Sequence, residues 1–162
     1  MHAPSRRAIT SRSEFHEAVR SAIGQAADTG AAEIWLCDPS FADWPLGERQ
    51  VIGHFTRWAA ARRRLVLLAA SFDEVARRHG RWSAWRRPWA HIVACRTNTE
   101  LEPAQFPSLC LVPGVMSVQR FDPVSDRGLA SHEPADAIAC REALEAVSQR
   151  SVEDFPVTTL GL

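Results

Sequence analysis

The sequence predicts a three-layer α/β/α sandwich around a mixed, mostly parallel sheet of about five or more strands. The run 65–70 is apolar without polar alternation, which is typical of a strand buried on both faces. Helical patterns separate the early apolar runs, as parallel strands require. The length of 162 residues suits one domain with a substantial core. We expect a single domain over 1–162, with terminal extensions at 1–12 and 152–162.

Start signals and apolar spacing place the helices. Ser11 and Glu14 form a capping box ahead of the first helix, and Ser71 and Glu74 form a second one ahead of a short helix. Pro134 suits the first turn of the last helix. The predicted helical segments span 13–27, 48–62, 71–80, 81–89 and 134–150.

Apolar runs between these helices predict the strands. They span 32–37, 65–70, 91–95, 108–112 and 115–121. Helices join the first three, which favours parallel pairing, whereas the Pro113-Gly114 turn joins the last two and favours antiparallel pairing. We therefore expect a mixed sheet, followed by a loop over 122–128.

Arginine supplies every basic side-chain charge, because the chain has 19 basic residues and no lysine. This composition excludes a Walker A phosphate loop, a pyridoxal Schiff base and an S-x-x-K acyl-enzyme. Residues 57–96 hold ten arginines and two acidic residues, a net charge of +8, whereas 97–162 hold four arginines and ten acidic residues, a net charge of −6. The basic segment could bind an anion. It could equally form ion pairs with the acidic segment, within a monomer or across a homodimer.

No residue pattern indicates a metal or a cofactor. The histidines lack H-x-x-x-H and H-E-x-x-H spacing, and the glycines lack G-x-G-x-x-G. The four cysteines form no C-x-x-C pair and lie in apolar elements, which predicts buried free thiols. No apolar run approaches the ~20 residues that cross a bilayer, and the start lacks the apolar region of a signal peptide. We expect a cytoplasmic protein with no membrane insertion, no metal and no cofactor.

Segments spread over 33–151 resemble the phospholipase D-like fold. They are the strand and aspartate at 34–38, the run 65–70, the Arg/Trp segment leading to His91, the segment 119–122, Arg127-Gly128, and the end of the last helix at 149–151. More closely, the chain resembles a small bacterial family that carries one such half-domain. The resemblance implies an α/β/α fold, and it implies pairing of two halves across the site face.

The catalytic signature of that fold is altered here. Phospholipase D-like enzymes carry His, one residue, Lys, four residues, Asp, in which His is the nucleophile and Lys binds phosphate. The apparently equivalent positions are Phe106, Ser108 and Pro113. Phenylalanine and proline cannot attack phosphorus or transfer a proton. The resemblance therefore implies a degenerate phosphodiesterase site without catalytic residues, which favours a protein that is not an enzyme.

Our first functional hypothesis is a non-catalytic binding or interaction protein, with a second copy of the chain as one partner. In this hypothesis Arg96, Arg120 and Arg127 hold an anionic ligand, because arginine binds phosphate or carboxylate bidentately. The alternative interpretation for Arg120 and Arg127 is salt bridges to Asp122, Asp126 or the last helix.

The second hypothesis is nucleic-acid binding through 77–96. Trp85 would stack a base, and Arg81, Arg86 and Arg87 would contact phosphates. The alternative interpretation is an apolar stripe of tryptophans, at 82, 85 and 89, packed on the sheet with solvated arginines opposite.

The third hypothesis is an enzyme that acts on a phosphate-containing ligand through Asp38, His91 or Arg120. For His91 the alternative, which we favour, is a buried and hydrogen-bonded side chain.

Overall fold

The computed structural model describes residues 5–157. Its helices are α1 (Arg12–Thr29), α2 (Arg49–Trp58), α3 (Asp73–Arg78), α4 (Gly80–Arg86) and α5 (Pro134–Ser148), with 3-10 turns at Arg87–Trp89 and Pro103–Gln105. Ser11 caps α1 and accepts the N–H of Glu14 at 3.1 Å, as predicted. The second predicted capping box is wrong, because Phe72 is the N-cap of α3 and no side chain caps it. Among these described helices, none has the length and apolar character needed to cross a bilayer.

Eight strands form one sheet. They are β1 (Arg6–Ile9), β2 (Glu33–Cys37), β3 (Arg64–Ala69), β4 (Val93–Thr97), β5 (Ser108–Val112), β6 (Met116–Asp122), β7 (Arg127–Ser131) and β8 (Val152–Glu153). Their order across the sheet is β1-β7-β6-β5-β2-β3-β4-β8. The pairs β2–β3 and β3–β4 are parallel, and the other five described pairs are antiparallel.

The predicted mixed sheet is confirmed, but the predicted predominance of parallel pairs is wrong. Tight turns join β5 to β6 and β6 to β7, and such turns impose antiparallel pairing. The two outer strands, β1 and β8, also pair antiparallel. The sequence does not predict β1, β7 or β8, since each is short and lacks apolar alternation. β1 and β8 lie within the segments 1–12 and 152–162, which we expected to be terminal extensions.

Helices cover both faces of the sheet, as the side chains of β3 require. Leu65 and Leu67 point into a core formed with α1, α2 and α4. Val66 and Leu68 point to the opposite face, where α5 covers them. Because successive side chains of a strand alternate between faces, an uninterrupted apolar strand needs helices on both sides. The predicted three-layer arrangement is therefore confirmed.

Gly128 in β7 allows a close approach of the β6 backbone. A Cβ atom at this position would lie 2.0 Å from the carbonyl oxygen of Gln119 and 3.0 Å from the Cα of Arg120. The β6–β7 pairing also shifts register between Arg120 and Asp122. Glycine is therefore needed here to keep the β6–β7 hairpin in its observed shape.

We expect Gly128→Ala to lower the free energy of unfolding by about 1–3 kcal/mol, because the backbone must move to accept the methyl group. Urea denaturation followed by circular dichroism measures this loss. The matched control is Gly53→Ala in α2, where nothing lies within 4 Å of the added Cβ. We expect that control to raise stability by about 0.5–1 kcal/mol through helix propensity. Unchanged stability in Gly128→Ala would contradict the close approach.

Candidate functional site

The candidate site is built around the guanidinium of Arg120 in β6. Its side chain is 2% exposed, and its Nη1 lies 2.6 Å from Asp43 Oδ2 and 3.1 Å from Asp126 Oδ1. Its Nη2 lies 3.1 Å from Asp38 Oδ1, and its Nε donates to Ser108 Oγ at 3.2 Å. One arginine thus joins the loop after β2, the start of β5 and the β6–β7 turn. We call Arg120 and the three aspartates the Arg120 cluster.

Phe15 of α1 covers one face of this guanidinium. The Cζ atom of Arg120 lies 4.3 Å from the centroid of the Phe15 ring, in a cation–π arrangement. Phe15 is itself buried and packs edge-on against Trp44 at 5.3 Å. Carboxylates surround the rim of the guanidinium while an aromatic ring covers its face, so Arg120 has no open side for a ligand.

Asp38 also shapes the loop that follows β2. Its Oδ2 accepts the backbone N–H of Ser40 at 3.1 Å and of Phe41 at 2.8 Å. Phe41 has φ +58°, a left-handed conformation that costs a non-glycine residue about 1–2 kcal/mol. The carbonyl of Phe41 accepts a hydrogen bond from Nε2 of the buried His79 at 2.7 Å. Burial lowers the pKa of His79 although this hydrogen bond opposes the shift, so a neutral imidazole holds the loop.

The Arg120 cluster has an excess of negative charge, because one guanidinium faces three carboxylates. Burial by itself raises the pKa of Asp43, but the hydrogen bond and charge of Arg120 outweigh it and hold that pKa below its ordinary value. A phosphate approaching Arg120 would therefore be repelled. Within residues 5–157, no three His, Cys, Asp or Glu side chains are placed to hold a metal ion together.

The three arginines predicted as one anion site do not converge. Arg96 lies in β4 on the face that carries α5, and it donates to the hydroxyl of Ser151 at 2.8 Å and to its carbonyl at 2.7 Å. Arg120 contacts α1 on the opposite face, and three strands separate β4 from β6. Arg127 begins β7 and is exposed. For Arg120, the structure agrees with the salt-bridge interpretation.

The Arg/Trp segment turns its tryptophans inward. Trp85 is 8% exposed, and its ring centroid lies 5.1 Å from that of Phe55 in the core. Arg86 is also buried, with its Cζ 4.9 Å from the centroid of the Phe155 ring. Arg81 and Arg87 are exposed. Trp85 is therefore not presented for stacking with a base, which was the central element of that hypothesis.

The three degenerate positions surround β5. Ser108 begins β5, and its hydroxyl accepts the Nε–H of Arg120. Phe106 is buried in the core beneath α5. Pro113 follows the far end of the strand, in the turn to β6. Of the three, Ser108 alone contacts the Arg120 cluster through a hydrogen bond described in the structure.

His91 lies away from the other two residues of the enzyme hypothesis. It is exposed and its ring stacks on Trp89 at 5.9 Å, so the prediction of a buried His91 is wrong. It precedes β4, whereas Asp38 follows the opposite end of the parallel strand β2, and five residues of strand span about 16 Å. Asp38 and Arg120 therefore meet without His91.

The sequence suggests Asp126 as an ion-pair partner of Arg120, and the structure confirms this pair. No sequence pattern points to Asp43 or Phe15 as parts of the site. Asp43 lies in the loop after β2, where α/β proteins often place functional side chains, and this position was the available signal. The partners of Arg120 in that loop are 77 and 82 residues away along the chain. Such pairs leave no local pattern in one sequence.

Three solved structures are similar to this fold. One is TrmBL2, an archaeal chromatin protein whose structure shows a novel mode of DNA binding, with a TM-score of 0.65 and 8% identity over 95% of this chain and 56% of that one. NucT from Helicobacter pylori gives a TM-score of 0.55 and 7% identity, over 92% and 98% of the two chains. Nuc from Salmonella typhimurium, a phospholipase D family member, gives a TM-score of 0.53 and 12% identity, over 95% of this chain and 100% of that one.

These neighbours confirm a phospholipase D-like α/β fold for this chain. At 7–12% identity they show the fold alone. The chain spans a little over half, 56%, of the length of TrmBL2. No protein-family model and no curated protein matches the sequence.

We expect Arg120→Leu to lower the free energy of unfolding by about 3–5 kcal/mol, because it leaves carboxylates without their shared cation. Urea denaturation at neutral pH measures this loss. Arg127→Leu, which removes an exposed arginine from the neighbouring strand, is the control and should change stability by less than about 0.5 kcal/mol. Similar losses in the two variants would contradict a central role for the Arg120 cluster.

The pH dependence of stability, measured for the wild type and for Arg120→Leu, distinguishes the loss of ion pairs from the loss of packing. In the wild type the pKa of Asp43 is lowered, so the ionised Asp43 stabilises the folded protein, and this stabilisation is lost as pH falls through that pKa. Without Arg120, the hydrogen bond and charge that most lower the pKa of Asp43 are lost while burial, which raises that pKa, remains, so the pKa rises and protonation at low pH relieves the variant. The stability difference between the two proteins should therefore narrow from about pH 7 to about pH 4. A constant difference would indicate that packing alone is lost.

Proposed function

We propose that this chain is a phospholipase D-like domain that acts by binding and has no phosphodiesterase activity. The observation that carries the proposal is that Arg120 already has three carboxylate partners. It lies beside Ser108, which stands where the resemblance to phospholipase D-like enzymes would put the lysine. Cleavage of a phosphodiester needs a nucleophile and a cation that stabilises the developing charge. Phe106 offers no nucleophile, and the Arg120 cluster offers no free cation.

We expect no hydrolysis of bis(4-nitrophenyl) phosphate or of single-stranded DNA above the rate measured without protein. Release of nitrophenolate and gel analysis of the DNA measure the two reactions, with a commercial phosphodiesterase as positive control. A rate proportional to protein concentration, and abolished in a folded Asp38→Asn variant, would overturn the proposal. That result would favour the enzyme hypothesis, in which the substrate carries a phosphate.

A second candidate function, anion or nucleic-acid binding, is favoured by the charges of 57–96. Of its ten arginines, Arg57 pairs with Asp28, while Arg77 and Arg78 pair with Glu74. Within residues 5–157, the other seven have no carboxylate oxygen within 4.0 Å. TrmBL2, which shares the fold, is a DNA-binding protein. Unpaired arginines at this density support a role in binding a polyanion.

The same charges support the proposal of a homodimer. No ion pair described within residues 5–157 joins an arginine of 57–96 to an acidic residue of 97–157. The two segments are therefore able to complement each other between copies. We expect light scattering at micromolar concentration and low salt to give twice the mass of one chain, and high salt to shift it toward the monomer. A monomer mass at low salt would contradict this proposal.

A further inference from the structure

A groove rich in arginine runs along the beginning of β3 and β4. It encloses about 480 Å³. Its charged and titratable lining residues are Arg62, Arg63, Arg64, His91, Arg96 and Glu153. We call this feature the basic groove. Four arginines and one glutamate give its lining a net charge of +3 with His91 neutral.

Two of these guanidiniums are fixed in place without a carboxylate. Arg96 donates through Nε and Nη2 to Ser151, and Arg63 donates through Nε to the carbonyl of Trp58 at 3.2 Å. Within the part of the chain that the structure describes, none of the four arginines lies within 4.0 Å of a carboxylate oxygen. Because neutral groups hold these side chains, their charge is oriented but not neutralised, which favours an incoming anion.

The neighbouring carboxylates do not cancel this charge. Glu33 is the register partner of Arg64 on β2, but it accepts from Trp35 Nε1 at 2.8 Å and lies 3.8 Å from Arg141 Nη2. Glu153 in β8 is the one acidic residue that lines the groove. The basic groove therefore differs from the Arg120 cluster, in which carboxylates outnumber the cation.

The dimensions and chemistry of the basic groove suit a chain of phosphates. From Val93 to Arg96 the wall follows β4 over about 10 Å. Each phosphate of a nucleic-acid strand carries one negative charge, so a wall of this length with a net positive lining suits adjacent phosphates of one strand. The lining contains no Phe, Tyr or Trp for base stacking. Contacts would therefore go to the backbone, which carries no sequence information.

We propose that the basic groove binds the phosphate backbone of nucleic acid without sequence preference. This inference rests on the proposed function, because it names a ligand class for a domain that binds without cleaving. The groove lies at the beginning of the parallel strands, whereas Asp38 of the Arg120 cluster follows the end of β2. Binding in the groove therefore does not require the degenerate site.

The test measures affinity against salt for the whole chain. A fluorescent oligothymidine of about 20 nucleotides and a duplex of the same length are titrated by anisotropy, starting at about 50 mM NaCl. We expect Arg62→Ala/Arg64→Ala to weaken binding by about tenfold or more at that salt. Since each single-strand phosphate contact contributes about 0.7 to the slope of log K against log salt, the double variant should also reduce that slope by about 1.4. Comparison of the two affinities shows whether the groove prefers a single-stranded or a double-stranded backbone.

The matched control is Arg7→Ala/Arg49→Ala, which removes two exposed arginines that lie outside both the groove and the segment 57–96. It should retain wild-type salt dependence, and both double variants should keep the wild-type melting temperature. Equal weakening of binding in the two double variants would overturn the proposal that the groove binds nucleic acid. The absence of binding at about 25 mM NaCl would also overturn it. So would binding to anionic vesicles, instead of nucleic acid, that depends on the groove arginines. Cleavage of the bound oligonucleotide would overturn the proposed function while leaving the groove intact, so the two failures are distinguishable.

Discussion

The buried ion cluster of Arg120 is the interaction on which this end of the molecule depends. It joins three parts of the chain: the loop after β2, the first residue of β5 and the β6–β7 turn. Phe15 places α1 against the same guanidinium, and Gly128 lets the neighbouring strand approach. In this arrangement charge stabilises the scaffold, because one buried arginine holds carboxylates from two separate loops.

Features encoded by neighbouring residues could be predicted from the sequence, whereas those set by distant contacts could not. The apolar run of β3 required helices on both faces, and Ser11 marked the start of α1. The antiparallel majority of the sheet depends on strand order, for which a single sequence has no local signal. At the site, Arg120 was identified as a candidate ligand residue, but two of its three aspartate partners lie 77 and 82 residues away in sequence. Their contact changes its role from ligand binding to structural support.

Overall neutrality conceals two opposite electrostatic environments. At the end of β2, carboxylates outnumber the arginine that they surround. At the beginning of β3 and β4, arginines outnumber the single glutamate that lines the basic groove. The two places lie on opposite faces of the sheet, because Arg96 is on the face that carries α5 and Arg120 contacts α1. Neutralised charge at one place is thus compatible with ligand binding at the other.

The outermost strands restrict how copies of this chain associate. β1 has four residues and presents Arg6 and Arg7 to solvent, and β8 has two residues. Short or charged border strands prevent the backbone of another molecule from adding to a sheet. A continuous intermolecular β-sheet is therefore disfavoured at both borders. Contacts through helices or loops are therefore favoured between protomers, and growth into amyloid-like ribbons is disfavoured.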